Sequence, residues 1–230
     1  MTSLLPAAVL WDMDGTVVDT EPYWMEAETS LVESFGGTWT HDDCMTLVGF
    51  GLWDSAAVLQ GRGVDLGADE IVTRLTDRVR ELIDERGVPF RPGAQELLRE
   101  LKDAGVKTAL VTMSVRAMAE EIVSGIPFDA FDFIVPGDEV SAPKPHAAPY
   151  LHAAALLGVD AAACIAIEDS PTGLASAVAA GTIAIAVPHA IDIAPGPDHT
   201  TWTTLEGRRL TDLSALAADR QNQEDEAARR

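Results

Sequence analysis

The sequence predicts an α/β protein, a Rossmann-like parallel sheet flanked by helices, with a small all-helical module inserted after the first strand. Three observations carry this prediction. From residue 107 to residue 187, strand signals alternate with helical stretches, the pattern of repeated βαβ units. A short apolar run, Ala7 to Trp11, stands well ahead of them. Between residues 20 and 86 there is no strand signal, and apolar residues recur at helical spacing instead.

Taken in order, residues 7–11 form a short buried strand that ends in Asp12-Met13-Asp14-Gly15-Thr16. From Glu21 to Phe35 the spacing of Trp24, Ala27, Leu31 and Phe35 predicts a helix, stopped by Gly36-Gly37. Two more helices are predicted near Trp53–Gln60 and Asp69–Arg86, with turns at Gly61, Gly63 and Gly67 between them. The stretch "GVPFRPGAQELL" (87–98) is punctuated by prolines and glycines and returns the chain to the sheet. Lys107–Thr112, Phe131–Val135, Cys164–Ile167 and Thr182–Val187 then read as strands. They alternate with helical patterns at Ser114–Ser124, His146–Leu157 and Thr172–Ala180. The predicted organisation is an α/β core over 1–19 and 88–218, a helical module over 20–87, and a terminal 219–230 tail without order. That tail carries charges of both signs and no apolar partners.

With 230 residues, 47% hydrophobic and 23% charged, the chain fits one large domain or a domain with an insertion. No apolar run approaches the roughly 20 residues of a membrane span, and no signal segment opens the chain, so a cytoplasmic location is expected. Cys44 and Cys164 match no metal or redox spacing and are expected as reduced thiols. The formal net charge of −21 disfavours nucleic acid and anionic membrane as partners. An anionic substrate would need a local cation. The only lysines are Lys102, Lys107 and Lys144, so each matters.

In an open α/β sheet, ligands gather at the carboxyl ends of the strands. There the sequence places Asp12 and Asp14, then Thr112-Met113-Ser114 opening a helix, then Lys144 ahead of a helix, and then Glu168-Asp169-Ser170-Pro171. Each has a plain alternative: turn residues for the first set, a strand residue for Thr112, a solvated charge for Lys144 and an N-cap for the last. Together, several carboxylates at one edge call for a cation, and hard oxygen donors suit Mg²⁺. A lysine and a hydroxyl beside helix N-termini suit a phosphoryl group.

Asp12-Met13-Asp14-Gly15-Thr16, Thr112, Lys144-Pro145 and Glu168-Asp169-Ser170-Pro171-Thr172-Gly173 resemble, in order and spacing, the four motifs of the haloacid dehalogenase-like superfamily. The likeness covers residues 7–190, and the helical insertion is similar to that superfamily's small α-helical cap. It implies that Asp12 is the nucleophile forming an aspartyl-phosphate and Asp14 the general acid and base. It also implies Mg²⁺ on the Asp12, Glu168 and Asp169 carboxylates and the Asp14 carbonyl. Thr112, the backbone near Met113 and Ser114, and Lys144 would hold the phosphoryl oxygens, and the substrate would be a small phosphorylated metabolite.

Within the superfamily the second aspartate sets the chain apart from the dehalogenases. The β-phosphoglucomutase-like branch is similar but has a His where this chain has Trp24 and a phosphate-gripping Arg where it has Leu52. "Glu21-Pro22-Tyr23-Trp24" resembles the "EPLW" of sugar- and polyol-phosphate phosphatases. Hydrolysis is thus the expected activity, with a phosphohexomutase as the alternative. A catalytically idle binding protein is a third reading, opposed by the intact motifs. Ala147 and Ala148 replace the usual Pro and acidic residue behind Lys144. Trp24 and Phe50 are expected to line the substrate site, with core packing as the alternative, and Arg116 is expected either to reach the substrate or to be a solvated helix position. Met25 and Trp53 are either substrate-facing or core, and His189 is either substrate-facing or solvated.

Overall fold

The computed structural model describes residues 5–229. Its centre is a six-stranded, all-parallel sheet in the order β3-β2-β1-β4-β5-β6. The strands are β1 (Ala8–Trp11), β2 (Lys107–Val111), β3 (Phe133–Val135), β4 (Cys164–Glu168), β5 (Ile183–Ala186) and β6 (His199–Thr201). β1 is wholly buried between β2 and β4, which explains why its sequence is continuously apolar rather than alternating. The chain passes from β1 to neighbours on one side and then crosses to the other, so the crevice of the sheet opens at the carboxyl end of β1.

Period-two alternation divides the two faces by side-chain size. Val9, Trp11, Leu110, Ile165, Ile167 and Ile185 point one way. They meet Leu97, Leu98 and Leu101 of α5 (Ala94–Asp103), Met118 and Ile122 of α6 (Arg116–Ser124), and Leu213 of α9 (Leu210–Ala228). The opposite face is built largely from Ala8, Ala109, Ala166, Ala184 and Ala186. Such small residues let α7 (Ala148–Leu157) and α8 (Pro171–Ala179) pack closely, with Tyr150 and Leu174 filling the remaining space.

Between β1 and α5 the chain builds four helices: α1 (Glu21–Ser34), α2 (His41–Met45), α3 (Leu52–Gly61) and α4 (Ala68–Arg86). The helix α2 has no apolar repeat to announce it; it is set by a capping box in which Thr40 and Asp43 satisfy each other's backbone amides. The two crossings between this unit and the sheet run side by side, with Asp19 N–H donating to Pro89 O (2.8 Å) and Arg91 N–H to Val17 O (2.9 Å). The Arg91 guanidinium donates to the Gly15 carbonyl behind the first motif.

The terminal segment is a correction. Residues 219–230 were expected to lack order, yet α9 runs through them to Ala228; Arg230 lies outside the described residues, as do residues 1–4 of the expected core. Leu213 and Ala217 are buried at the start of α9, Arg209 pairs with Glu100 at its entry, and the residues that follow are mostly good helix formers. A helix anchored in this way continues without further packing. Both cysteines are buried free thiols. No helix among the described residues is long and apolar enough to cross a membrane.

Candidate active site

The strand ends converge as the βαβ arrangement requires. Asp12 extends β1 by one residue, its N–H donating to Ile167 O of β4 at 3.0 Å. Thr112 extends β2, its N–H donating to Val135 O of β3 at 3.0 Å. Lys144, in the loop before α7, is buried, and its ammonium has three acceptors: Asp12 Oδ1 at 2.7 Å, Glu168 Oε1 at 2.6 Å and Val111 O at 2.9 Å. That satisfies all three of its N–H donors. Burial alone would push the Lys144 ammonium towards neutrality, but the Asp12 and Glu168 carboxylates beside it hold it well above the usual lysine range.

Asp12, Glu168 and Asp169 each offer an oxygen, the three lying within 4.8 Å of one another, all buried. Burial, then the neighbouring carboxylates, push Asp12 and Asp169 well above the usual carboxylate range. Asp12 Oδ2 is buried without a hydrogen-bond partner. Around the cluster the backbone leaves room that only glycine allows: a Cβ at Gly15 (φ +83°) would overlap Asp169 Oδ2, and one at Gly173 would overlap the Glu168 carboxylate. An orphaned carboxylate oxygen in a group of hard donors short of positive charge fits Mg²⁺. Glu168 is the least free of the three, since its Oε1 also accepts from Tyr150 OH at 2.5 Å and its Oε2 from Ser170 Oγ at 3.4 Å. Ser170 at the same time caps α8, accepting from Gly173 N–H at 3.0 Å. The N-cap and acid-cluster readings of this motif are therefore both satisfied.

The Asp14 carboxylate faces away from this cluster and joins the two parts of the molecule. Its Oδ1 accepts from Thr20 Oγ1 (2.5 Å) and Trp24 Nε1 (3.1 Å), and its Oδ2 from Ser114 Oγ (2.8 Å) and Thr112 Oγ1 (3.4 Å). The first pair comes from the entry and first turns of α1, the second from the end of β2. The Ser114 N–H donates to Thr112 Oγ1 at 3.0 Å, so it is not free for an anion as the resemblance implied, and the hydroxyl of Ser114 faces the site instead.

Of the residues expected at the substrate end, Trp24 lines the cavity over this cluster and is buried, while Phe50 lines it and stays 46% exposed. Met113, Thr112, Ser114, Lys144 and Met25 also line it. Arg116 does not, which corrects the expectation. It opens α6 with its guanidinium held by both Glu139 oxygens and by Glu120, and this pairing turns it towards the loop after β3. Trp53 donates to Asp69 Oδ1 at 2.8 Å on the surface, and His189 pairs with Asp19 at 2.8 Å.

Sequence reasoning missed Thr20, Tyr150 and two glutamates of α1, Glu21 and Glu28, that line the cavity. A signal existed for Tyr150: an aromatic hydroxyl on the buried face of an otherwise apolar helix must find a polar partner. Burial raises both glutamates first, Glu21 to about 8, with Asp14 and Glu28 adding to it, and Glu28 to about 7.

Comparison with known proteins agrees with this geometry. The family described as haloacid dehalogenase-like hydrolase matches residues 9–187. Hexitol phosphatase B of Escherichia coli (strain K12) is 30% identical over 92% of this chain and 94% of its own. Protein CbbY of Rhodobacter capsulatus is 32% identical over 91% of this chain and 95% of its own. Among solved structures, CbbY from Rhodobacter sphaeroides in complex with xylulose-(1,5)-bisphosphate superposes with a TM-score of 0.82 at 25% identity, covering 91% of this chain and 99% of that one. From the family match, spanning all four strand-end motifs, we conclude that the chain belongs to the haloacid dehalogenase-like hydrolases.

Proposed function

We propose that this protein is a Mg²⁺-dependent phosphatase of a small sugar or polyol phosphomonoester, acting through a phosphorylated Asp12, with α1–α4 as a cap over the site. One observation carries the reading. Asp12 has one carboxylate oxygen fixed by Lys144 while the other, Oδ2, is buried and unpartnered. A carboxylate anchored through one oxygen and free of donors at the other keeps lone pairs to share between a cation and the phosphorus it attacks.

In the first step an Asp12 carboxylate oxygen attacks phosphorus, the bond from phosphorus to the sugar oxygen breaks, and the leaving oxygen takes a proton from Asp14. Water then attacks the phosphorus and passes a proton to Asp14, the bond from phosphorus to the Asp12 oxygen breaks, and inorganic phosphate and the free Asp12 carboxylate result. Thr20, Trp24, Ser114 and Thr112 hold Asp14 where both transfers need it. Lys144 steadies Asp12 and adds positive charge beside the transferring group, and Thr112 and Ser114, whose hydroxyls donate to Asp14, line the cavity where its oxygens would lie. Bound Mg²⁺, held by Asp12 and Asp169 with Glu168 beside them, would offset charge between nucleophile and phosphate.

The sugar or polyol class is supported by the likeness to hexitol phosphatase B over nearly the whole chain. No feature of the site favours a phosphohexomutase, since Trp24 and the apolar Leu52 line the cavity where that branch has its His and Arg. The test is phosphate release from an aryl phosphate and from a panel of sugar and polyol phosphates, in excess Mg²⁺, by the natural protein and by Asp12→Asn. A loss of at least about a thousandfold is expected for the variant. Undiminished turnover would refute the mechanism.

A further inference from the structure

The cavity over Asp12 is walled on the cap side by Glu21, Met25 and Glu28 of α1, Leu52 and Ser55 of α3, and Leu75 of α4. Glu21 and Glu28 are two helical turns apart, so α1 presents both from one face. Glu28 is 7% exposed, with one oxygen accepting a long 3.3 Å bond from Trp39 Nε1. The Glu21 carboxyl accepts no hydrogen bond from a protein donor among the described residues.

Positive charge is missing from this wall. Lys144, below the cavity and already committed to Asp12 and Glu168, is the one Lys or Arg lining it among the described residues. The arginines of α4 and of the turn that precedes it are paired elsewhere: Arg62 with Asp43, Arg74 with Glu70, Arg78 and Arg86 with Glu26, and Arg80 with Glu121. None can meet a second anion in the cavity without breaking such a pair.

Resting on the phosphatase reading, we infer that the site takes monophosphates whose far end is neutral and hydroxylated, and that Glu21 and Glu28 are specificity-determining residues that accept substrate hydroxyls and exclude a second phosphate. Hydroxyls suit these carboxyls in either protonation state, because a carboxylate accepts from them and a neutral acid both donates and accepts. A second phosphate would be a dianion buried with no counter-ion, and an ionised Glu21 or Glu28 would repel it further. Met25, Leu52 and Leu75 supply apolar surface for a carbon chain. Discrimination of this kind arises from what the site repels as much as from what it binds. The relative solved with xylulose-(1,5)-bisphosphate makes the contrast concrete, because a bisphosphate is what this cavity would refuse.

The experiment uses hydrolysis of p-nitrophenyl phosphate in excess Mg²⁺ as the readout and two competitors, a hexitol 6-phosphate and the same hexitol phosphorylated at both ends. The inhibition constant of the bisphosphate is expected to be at least about tenfold weaker than that of the monophosphate. In the Glu21→Gln/Glu28→Gln double variant, checked for folding by circular dichroism, the gap should narrow severalfold. A natural protein that binds the bisphosphate as tightly as the monophosphate overturns the inference without needing any variant. A gap unchanged in a folded double variant also overturns it. Both results leave the phosphatase reading standing. Absence of p-nitrophenyl phosphate hydrolysis defeats that reading and the inference with it.

Discussion

Replacing Glu28 by Gln should make the metal-free protein more stable at pH 8 and leave it nearly unchanged at pH 4.5. The carboxyl is raised from an ordinary 4.5 to about 7, chiefly by burial, against the opposing donation from Trp39. A group raised on folding contributes stability that is complete below its unfolded value and is lost as pH climbs through its folded one. For Glu28 the loss therefore runs from about pH 4.5 to about pH 7. Moving this carboxyl from 4.5 to about 7 corresponds to about 3 kcal/mol at pH 8. Glutamine has the same shape, cannot ionise, and resembles the protonated acid as a hydrogen-bonding group. The difference between the two proteins should thus grow from near zero at pH 4.5 to about 3 kcal/mol in favour of the variant at pH 8. Glu21, raised to about 8 by burial first and then by Asp14 and Glu28, gives both proteins a pH dependence of its own, and removing the Glu28 charge relaxes part of that rise, which adds to the difference in the same direction. Urea unfolding in EDTA at the two pH values measures it, as a shift of midpoint with unchanged slope. The reasoning fails if the stability difference is the same at both pH values, or if the variant is the less stable at pH 8.

Trp24→Phe removes the indole N–H that meets Asp14 at 3.1 Å while leaving Thr20 and Ser114 in place. We expect kcat to fall about tenfold with KM changed less than twofold, and an unaltered kcat would show that this donor does not position Asp14. Gly173→Ala sets a Cβ against the Glu168 carboxylate and should weaken Mg²⁺ binding at least about tenfold by calorimetry; unchanged affinity would place the metal elsewhere. Lys144→Met leaves Asp12 and Glu168 buried without their cation. The metal-free variant should lose about 3 kcal/mol or more in denaturant melts, with part of the loss restored by Mg²⁺. A variant indifferent to Mg²⁺ would count against the acid cluster as its site.

How far the sequence revealed the site depended on whether topology or side-chain direction decided a position. Asp12, Thr112 and Glu168 lie at or beside the carboxyl ends of β1, β2 and β4, and the βαβ rule brings such ends together whatever the details. Reading the residue types there was enough to assemble the cluster. Arg116 was misplaced because its position beside the second motif says nothing about its direction, which Glu139, 23 residues further on, determines. The short β6 and α2 escaped notice because neither carries a hydrophobic repeat, and α9 because its exposed half looks like a tail unless its buried anchor is seen first. Glu21 and Glu28 were hidden for a deeper reason. Helical periodicity assigns charged residues to the solvent face, and α1 does bury Trp24, Ala27, Leu31 and Val32 as that rule requires. Two of its carboxyls nevertheless sit over the cavity. A helix that covers a substrate site has a third face, belonging neither to core nor to solvent, and polar residues there break the pattern because their partner is absent from the sequence. The misfit is thus itself a marker: acids that a fold buries without supplying cations are the ones to suspect of meeting a ligand.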